Sequence, residues 1–406
     1  MTTNRRQFIG TLGAASALIT APSVLRAQTQ STFRIGALCP VTGAGAPYGS
    51  GMQKMITAAA EMVNAAGGAA GRKLEVVAED TQTSPQAGVL AAKKLIDVNK
   101  VQAILGTWSS GVSLAVAPLT NDANMILMNT SGAPALSVPP ANAKGLSYRF
   151  QATNDRFGKA FAEICVKEGF KRPATMAFNN ASGIGNTEGF RKAWEAKGNK
   201  VLENIVYEPA QPSYRSELQR VLATNPDVIV TGSYLSDTTI ILREWFQSGQ
   251  PVKWIIPGWA ANQELVKALG PEVCEGIISV DTISNETAPS FKLYDEAYQK
   301  AMNQSGQSNI FSAMTWDMVV TLALAIEAAN ATDTASINAK IRDVANPDGT
   351  KVYSFAEGKE ALKKGPINYE GASSVLDFDQ YGDVSPAFGV FFIEGGKLNR
   401  RYVVNI

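Results

Sequence analysis

Histidine is absent from all 406 residues. Without imidazole there is no Ser-His-Asp or Cys-His relay and no His-ligated metal. Cysteine is scarce. Cys39, Cys165 and Cys274 are far apart and show no CxxC spacing, which argues against a zinc or iron–sulfur site. The odd count leaves at least one thiol unpaired. Either Cys165 and Cys274 pair, or all three are small buried thiols. An excess of charge is missing too: 37 Lys and Arg face 36 Asp and Glu, a net charge of +1. Nucleic acid needs a basic face that releases counterions, and an anionic membrane needs a cationic one. Neither partner is expected. No nucleophile elbow or P-loop spacing occurs, and no cofactor is implied.

What is present is globular material: 45% hydrophobic and 18% charged residues. The length suggests two domains. The N-terminus stands apart. Arg5 and Arg6 precede an uncharged run from Phe8 to Leu25, broken at Pro22 and ending in Leu25-Arg26-Ala27. Residues 1–27 read as a twin-arginine-like signal peptide, cleaved near Ala27, which sends the mature chain to the periplasm. A retained anchor is the competing reading, but Gly10, Gly13, Ser16, Thr20 and Pro22 keep the run weakly hydrophobic. No later segment is expected to be long and apolar enough to cross a bilayer.

Beyond the leader, strands and helices alternate. FRIGALCP reads as a strand, and the Met52, Met55, Ile56, Ala59, Met62, Val63 and Ala66 spacing as a helix. KLEVVAEDT is a strand, and Ser84-Pro85 caps the next helix. VQAILGT and MILMNT continue the series. A second βα series begins after YRFQATND and ends with GIISVDTI. Two α/β units in tandem follow, each with a parallel sheet covered by helices. From Pro289 the pattern turns helical, as if the chain returned to cover the first unit. Short strands are expected around SSVLDFDQ and FGVFFIEGGKL.

Open α/β sheets bind ligands at the carboxyl ends of strands, beside helix N-termini. The first such loop, CPVTGAGAPYGSG, carries Tyr48 as its one large side chain. The loop TWSSG offers Ser109 and Ser110. One of them is expected to cap the following helix; a spare hydroxyl beside the free N–H groups would make an anion site. Trp108 either walls an apolar group or belongs to the core. NTSGAP supplies Thr130, Ser131 and Gly132 from the adjacent strand end. In the second unit, NNASGIGN, GSYLSD and PGWAAN carry Ser182, Tyr234 and Trp259. Exposed aromatics of this kind are covered if the two units close over a ligand. Asp377 and Asp379 alternate about Phe378; calcium binding has too few ligands there, so turn solvation is expected.

The order FRIGALCPVTGAGAPYGSGM, AILGTWSSGVSLAVAP, YRFQATND, GNTEGFRKAWEAKGNKV, PDVIVTGSYLSD and INYEGASSVLDFDQYGDV resembles the periplasmic solute-binding proteins of branched-chain amino-acid-type ABC transporters. The resemblance covers essentially the whole mature chain. It implies a type I periplasmic binding protein fold, with two Rossmann-like α/β lobes joined by three crossovers near Gln151–Asp155, Ile283–Glu286 and Leu376–Gln380. The lobes would be 31–152 plus 286–376, and 153–285 plus 377–406. They would close on a ligand by hinge motion, and the loaded form, a monomer, would pass to a membrane permease and ATPase.

The resemblance also implies a carboxylate clamp at Ser109 and Ser110, further contacts from Thr130, Ser131 and Gly132, and aromatic walls at Tyr48 and Tyr234. Two positions depart from the pattern. The loop that supplies a glutamate for a ligand ammonium reads PGWAAN, with Gly258 and Trp259 in place. The loop expected to carry D-x-Y-G reads NASG, with Ser182 there. A buried ammonium without its counter-charge costs several kcal/mol, roughly. Asp281 on the crossover strand is a candidate replacement. The expected ligand is therefore a small carboxylate, amino-acid-like or aromatic, and the expected chain is a receptor and not an enzyme. Branched-chain amino acids, an amide or urea, and a sensory role are the alternatives.

Overall fold

The computed structural model describes residues 32–406; the signal-peptide reading lies outside them. The first unit contains β1 (Thr32–Cys39), α1 (Ala46–Ala65), β2 (Lys73–Asp80), α2 (Pro85–Lys93), β3 (Ala103–Thr107), α3 (Ser110–Asp122), β4 (Ile126–Asn129) and β5 (Ser147–Arg149). Its five strands are all parallel, in the order β2-β1-β3-β4-β5. Every residue of β3 and β4 is buried, as expected of strands covered on both faces. Ser84 caps α2 through the Ala87 N–H, with Pro85 next.

The second unit contains α4 (Asn154–Glu168), β6 (Pro173–Phe178), α5 (Ala181–Glu195), β7 (Asn204–Tyr207), α6 (Arg215–Leu222), β8 (Val228–Gly232), α7 (Leu235–Ser248), β9 (Lys253–Pro257), α8 (Gln263–Leu269), α9 (Pro271–Cys274) and β10 (Ile278–Thr282). The chain then runs through α10 (Pro289–Met302), α11 (Ile310–Ala329), α12 (Thr334–Ala345), β11 (Thr350–Val352), α13 (Phe355–Leu362), β12 (Ile367–Tyr369), β13 (Phe388–Glu394) and β14 (Lys397–Val404). Helices α10 and α11 pack on α1, so the chain does return to the first unit. The second sheet runs β14-β13-β10-β9-β8-β6-β7. Only β13 runs against the rest; β14 pairs antiparallel with β13 at the sheet edge. The architecture is thus two α/β lobes, each with a parallel-dominated sheet.

Two expectations need correction, and one alternative is decided. Helix α11 is 20 residues long with mean hydropathy 1.5, so one later segment does have the length and composition to cross a membrane. Here it is the buried centre of the first lobe, where apolar character all round is what a core helix requires. The segment around Asp377 and Asp379 is not a strand. Asp379 accepts from the N–H groups of Tyr381 and Asp383 at 2.8 and 3.0 Å, a turn closed by its carboxylate. All three cysteines are free and buried, with no bridge between Cys165 and Cys274.

Candidate functional site

The strand ends of both sheets face one another across a narrow pocket whose free space is about 20 Å³, room for about one water. Trp108, Ser110, Thr130, Gly132, Ser182, Tyr234 and Trp259 line it, together with Gln151, Asn154, Phe157 and Phe311. Seven of the residues read from sequence therefore converge. Tyr48, Ser109, Ser131 and Asp281 do not line it, and each has another task.

The TWSSG loop owes its course to Gly106. Its φ of +99° is a conformation that glycine adopts freely, and the β3–β4 register shifts at this point. The bulge delivers Trp108 into an aromatic cluster. Its ring lies 5.8 Å from Tyr48, 4.9 Å from Tyr234 and 5.7 Å from Phe311. Phe157 meets Trp259 edge-on at 5.0 Å. Ser109 occupies the N-cap position of α3, yet its hydroxyl makes no cap bond. It accepts instead from Tyr234 Oη at 3.3 Å. Neither serine is the expected side-chain cap. The first bond of α3 runs from the Ser113 N–H to the Ser109 carbonyl at 2.9 Å, so the preceding N–H groups have no intrahelical acceptor. Ser110 Oγ is buried beside them and has no partner among the described residues. Free N–H groups and a spare hydroxyl at a helix N-terminus are an arrangement that can accept an anionic oxygen.

Tyr48 backs Trp108 and reaches across to the second lobe. Its hydroxyl donates to the Trp259 carbonyl at 3.0 Å and accepts from Asn262 Nδ2 at 2.6 Å. Burial pushes both the Tyr48 and Tyr234 phenols above their usual range, so both are neutral donors at physiological pH. Trp259 Nε1 is satisfied by the Ser233 carbonyl at 3.1 Å. Asn180 caps α5 through the Ser182 and Gly183 N–H groups, which sets Ser182 at the pocket wall.

Ser131 turns away to Ser113 and to the Trp108 carbonyl. Behind its loop lies Arg149, which is 1% exposed. The guanidinium binds the carbonyls of Ser131 and Ala133, the Ser137 hydroxyl, and Asp383 at 2.8 Å. Arg149 thereby holds the Ser131 and Ala133 carbonyls, while the Asn154 N–H takes that of Gly132, and no cationic side chain lines the pocket among the described residues. Sequence reading missed Arg149, Gln151, Asn154, Phe157 and Phe311. The only available hint was that Gln151 and Asn154 fall in the first crossover.

Asp281 packs against Gly258. A Cβ on that glycine would sit 2.5 Å from its Oδ2, so no side chain fits at 258, where relatives' glutamate was expected. The one hydrogen bond to the Asp281 carboxylate is its neighbour Thr282 N–H at 2.8 Å. Burial outweighs that bond and pushes the carboxyl up from 3.8 to about 7. A folded-state pKa above the unfolded value means the folded chain holds the proton more tightly. Stability should then fall as pH rises from about 4 to about 7. Asp281→Asn should flatten the dependence of denaturant midpoint on pH in that window. An unchanged slope would assign it to other groups.

A model of the periplasmic binding protein family matches residues 32–362. The Leu/Ile/Val-binding protein homolog 3 of Brucella melitensis biotype 1 is 23% identical over 395 residues, covering 96% of each chain. A leucine-binding protein from Thermotoga maritima superposes with a TM-score of 0.79 at 22% identity, over 92% of this chain and 99% of that one. A solute-binding protein of an ABC transporter from R. palustris, solved in complex with benzoate, gives 0.72 at 20% identity over 92% and 97%.

Proposed function

The chain belongs to the periplasmic binding protein family, and from that premise we propose that it is the periplasmic receptor of an ABC importer for a small aromatic carboxylate. One observation carries this reading. The pocket pairs an unpartnered buried hydroxyl at a helix N-terminus, Ser110, with walls from five aromatic rings, and no carboxylate lines it. The helix end and hydroxyl suit a carboxylate, and the rings suit a flat apolar body. A ligand ammonium finds no counter-charge among the lining residues. The free space of about 20 Å³ is far below the roughly 300–1,000 Å³ of ligand pockets, so in this reading the lining residues move apart to admit the ligand.

The named relatives favour a second reading, a branched-chain amino acid. In it, Asp281 supplies the counter-charge after the pocket rearranges. Calorimetric titration of the mature chain with benzoate and with leucine separates the two. Micromolar benzoate with no leucine heat supports the first reading; the reverse result overturns it. Ser110→Ala should weaken the carboxylate ligand by about 1–3 kcal/mol, the worth of one charge-assisted hydrogen bond, with the melting temperature unchanged. Equal affinity would remove this loop from the site.

In this reading the lobes are 31–152 plus 286–376 and 153–285 plus 377–406, joined by three crossovers. Gly382 and Val384 bond to the Arg149 backbone, which favours moving the third crossover beyond Val384. Ser109, Ser131, Tyr48 and Asp281 act behind the ligand: the first three position the lining residues. The receptor works as a monomer that docks on a permease with its ATPase, after export and cleavage of residues 1–27. It performs no chemistry on its ligand.

A further inference from the structure

Among the polar side chains that line the pocket, two buried atoms have no partner: Ser110 Oγ and Gln151 Nε2. Of the other lining donors, Tyr234 is used on Ser109, Trp259 on Ser233, Thr130 on Thr107 and the Asn154 amide nitrogen on Ala181. Gln151 is 2% exposed. Its orientation is fixed by chemistry. Oε1 accepts from the Ala152 N–H at 2.8 Å and from the Thr282 hydroxyl at 2.8 Å. A backbone N–H can only donate, so the atom facing it is the oxygen, and Nε2 is left as a donor. An unmet donor in a low-dielectric pocket is costly unless the ligand satisfies it.

Ser110 follows β3 and Gln151 follows β5, with β4 between them. Two strand spacings put their backbones about 10 Å apart. One carboxylate is too short to engage both. We propose that Gln151 is a second polar anchor and selects ligands with an acceptor oxygen at the end opposite their carboxylate, such as a para-oxygenated aromatic acid. An ammonium at that end would set donor against donor. Because Gln151 also holds Thr282, on the strand leading into the second crossover, the bond would tie ligand identity to the hinge. The inference rests on the aromatic-acid reading above and adds the class of substituent.

The test is titration of the mature chain with benzoate, 4-methylbenzoate and 4-formylbenzoate. The formyl oxygen accepts and does not donate; the methyl group does neither. The wild type should prefer formyl over methyl by about tenfold or more, the value of one hydrogen bond to an otherwise unsatisfied buried donor. Gln151→Glu at pH 8.5 keeps an acceptor for Ala152 and Thr282 but removes the donor. It should abolish or invert the formyl-over-methyl preference, read as the ratio of the two affinities and so independent of any overall change in carboxylate binding. Gln151→Met should level the preference, and Thr282→Val, which leaves Nε2 in place, should retain it. Equal formyl and methyl affinities in the wild type overturn the inference, as does a preference that survives in both Gln151 variants. Leucine binding with no binding of any of the three acids overturns the aromatic-acid reading itself. If benzoate binds without the formyl preference, only the Gln151 anchor fails.

Discussion

Arg149→Met should destabilise the protein by about 3–5 kcal/mol, the cost of leaving a mostly buried ion pair with one partner. The side chain is almost fully enclosed and four of its five N–H groups are hydrogen-bonded. Asp383 takes Nε, while the carbonyls of Ser131 and Ala133 and the Ser137 hydroxyl take the two terminal nitrogens. Methionine fills much of the volume and satisfies none of these acceptors. Asp383, whose side chain is 13% exposed, would keep only the Ser137 hydroxyl at 2.6 Å. Urea melts read the loss. Adding Asp383→Asn should recover part of it, because the stranded charge is then gone. If the double variant is no more stable than the single one, the carbonyl bonds and not the ion pair hold the segment. Ligand affinity should fall as well, since Thr130 and Gly132 share this loop.

Trp108→Ala should cost about 3–5 kcal/mol of stability, the usual price of emptying a large aromatic site. It should also weaken an aromatic acid by about a hundredfold or more, as at buried aromatic hot spots. The ring touches Tyr48 and Phe311 from its own lobe and Tyr234 from the other. Its removal therefore opens the pocket wall and the contact between lobes together. Trp108→Phe keeps a ring and should retain most stability while losing part of the affinity. Titration and melting on both variants separate the two effects. Full affinity in a folded Trp108→Ala protein would place the ligand elsewhere.

The alternation of strands and helices was legible because buried parallel strands such as AILGT and VIVTG are short, continuous apolar runs between helical spacings. The strand-end loops were legible for the same reason: small and polar residues interrupt an apolar pattern. Ser109 was misread because capping is a local rule. The hydroxyl of Tyr234, 125 residues away, takes the oxygen that the helix would have used. Phe311 was invisible because α11 is apolar on every side, so nothing in its pattern marks which face meets a ligand. Arg149 looked like one cation in YRFQ; only the return of residues 376–384 to β5 turns it into a keystone of the loop. Gly258 was read as a lost glutamate. The fold shows the space itself to be taken by Asp281.

The bonds from Tyr48 to Trp259 and Asn262, and from Tyr234 to Ser109, run between the two lobes and need no ligand atom. In the proposed receptor these bonds would favour the shut form before any ligand enters. The population of that form would then scale the apparent dissociation constant, because a rarely shut receptor binds weakly however good its contacts are. Affinity here is thus divided between selectivity, written in the pocket lining, and readiness, written in residues that touch no ligand. Evolution or engineering can retune how much solute loads the receptor through Asn262 without changing which solute it is.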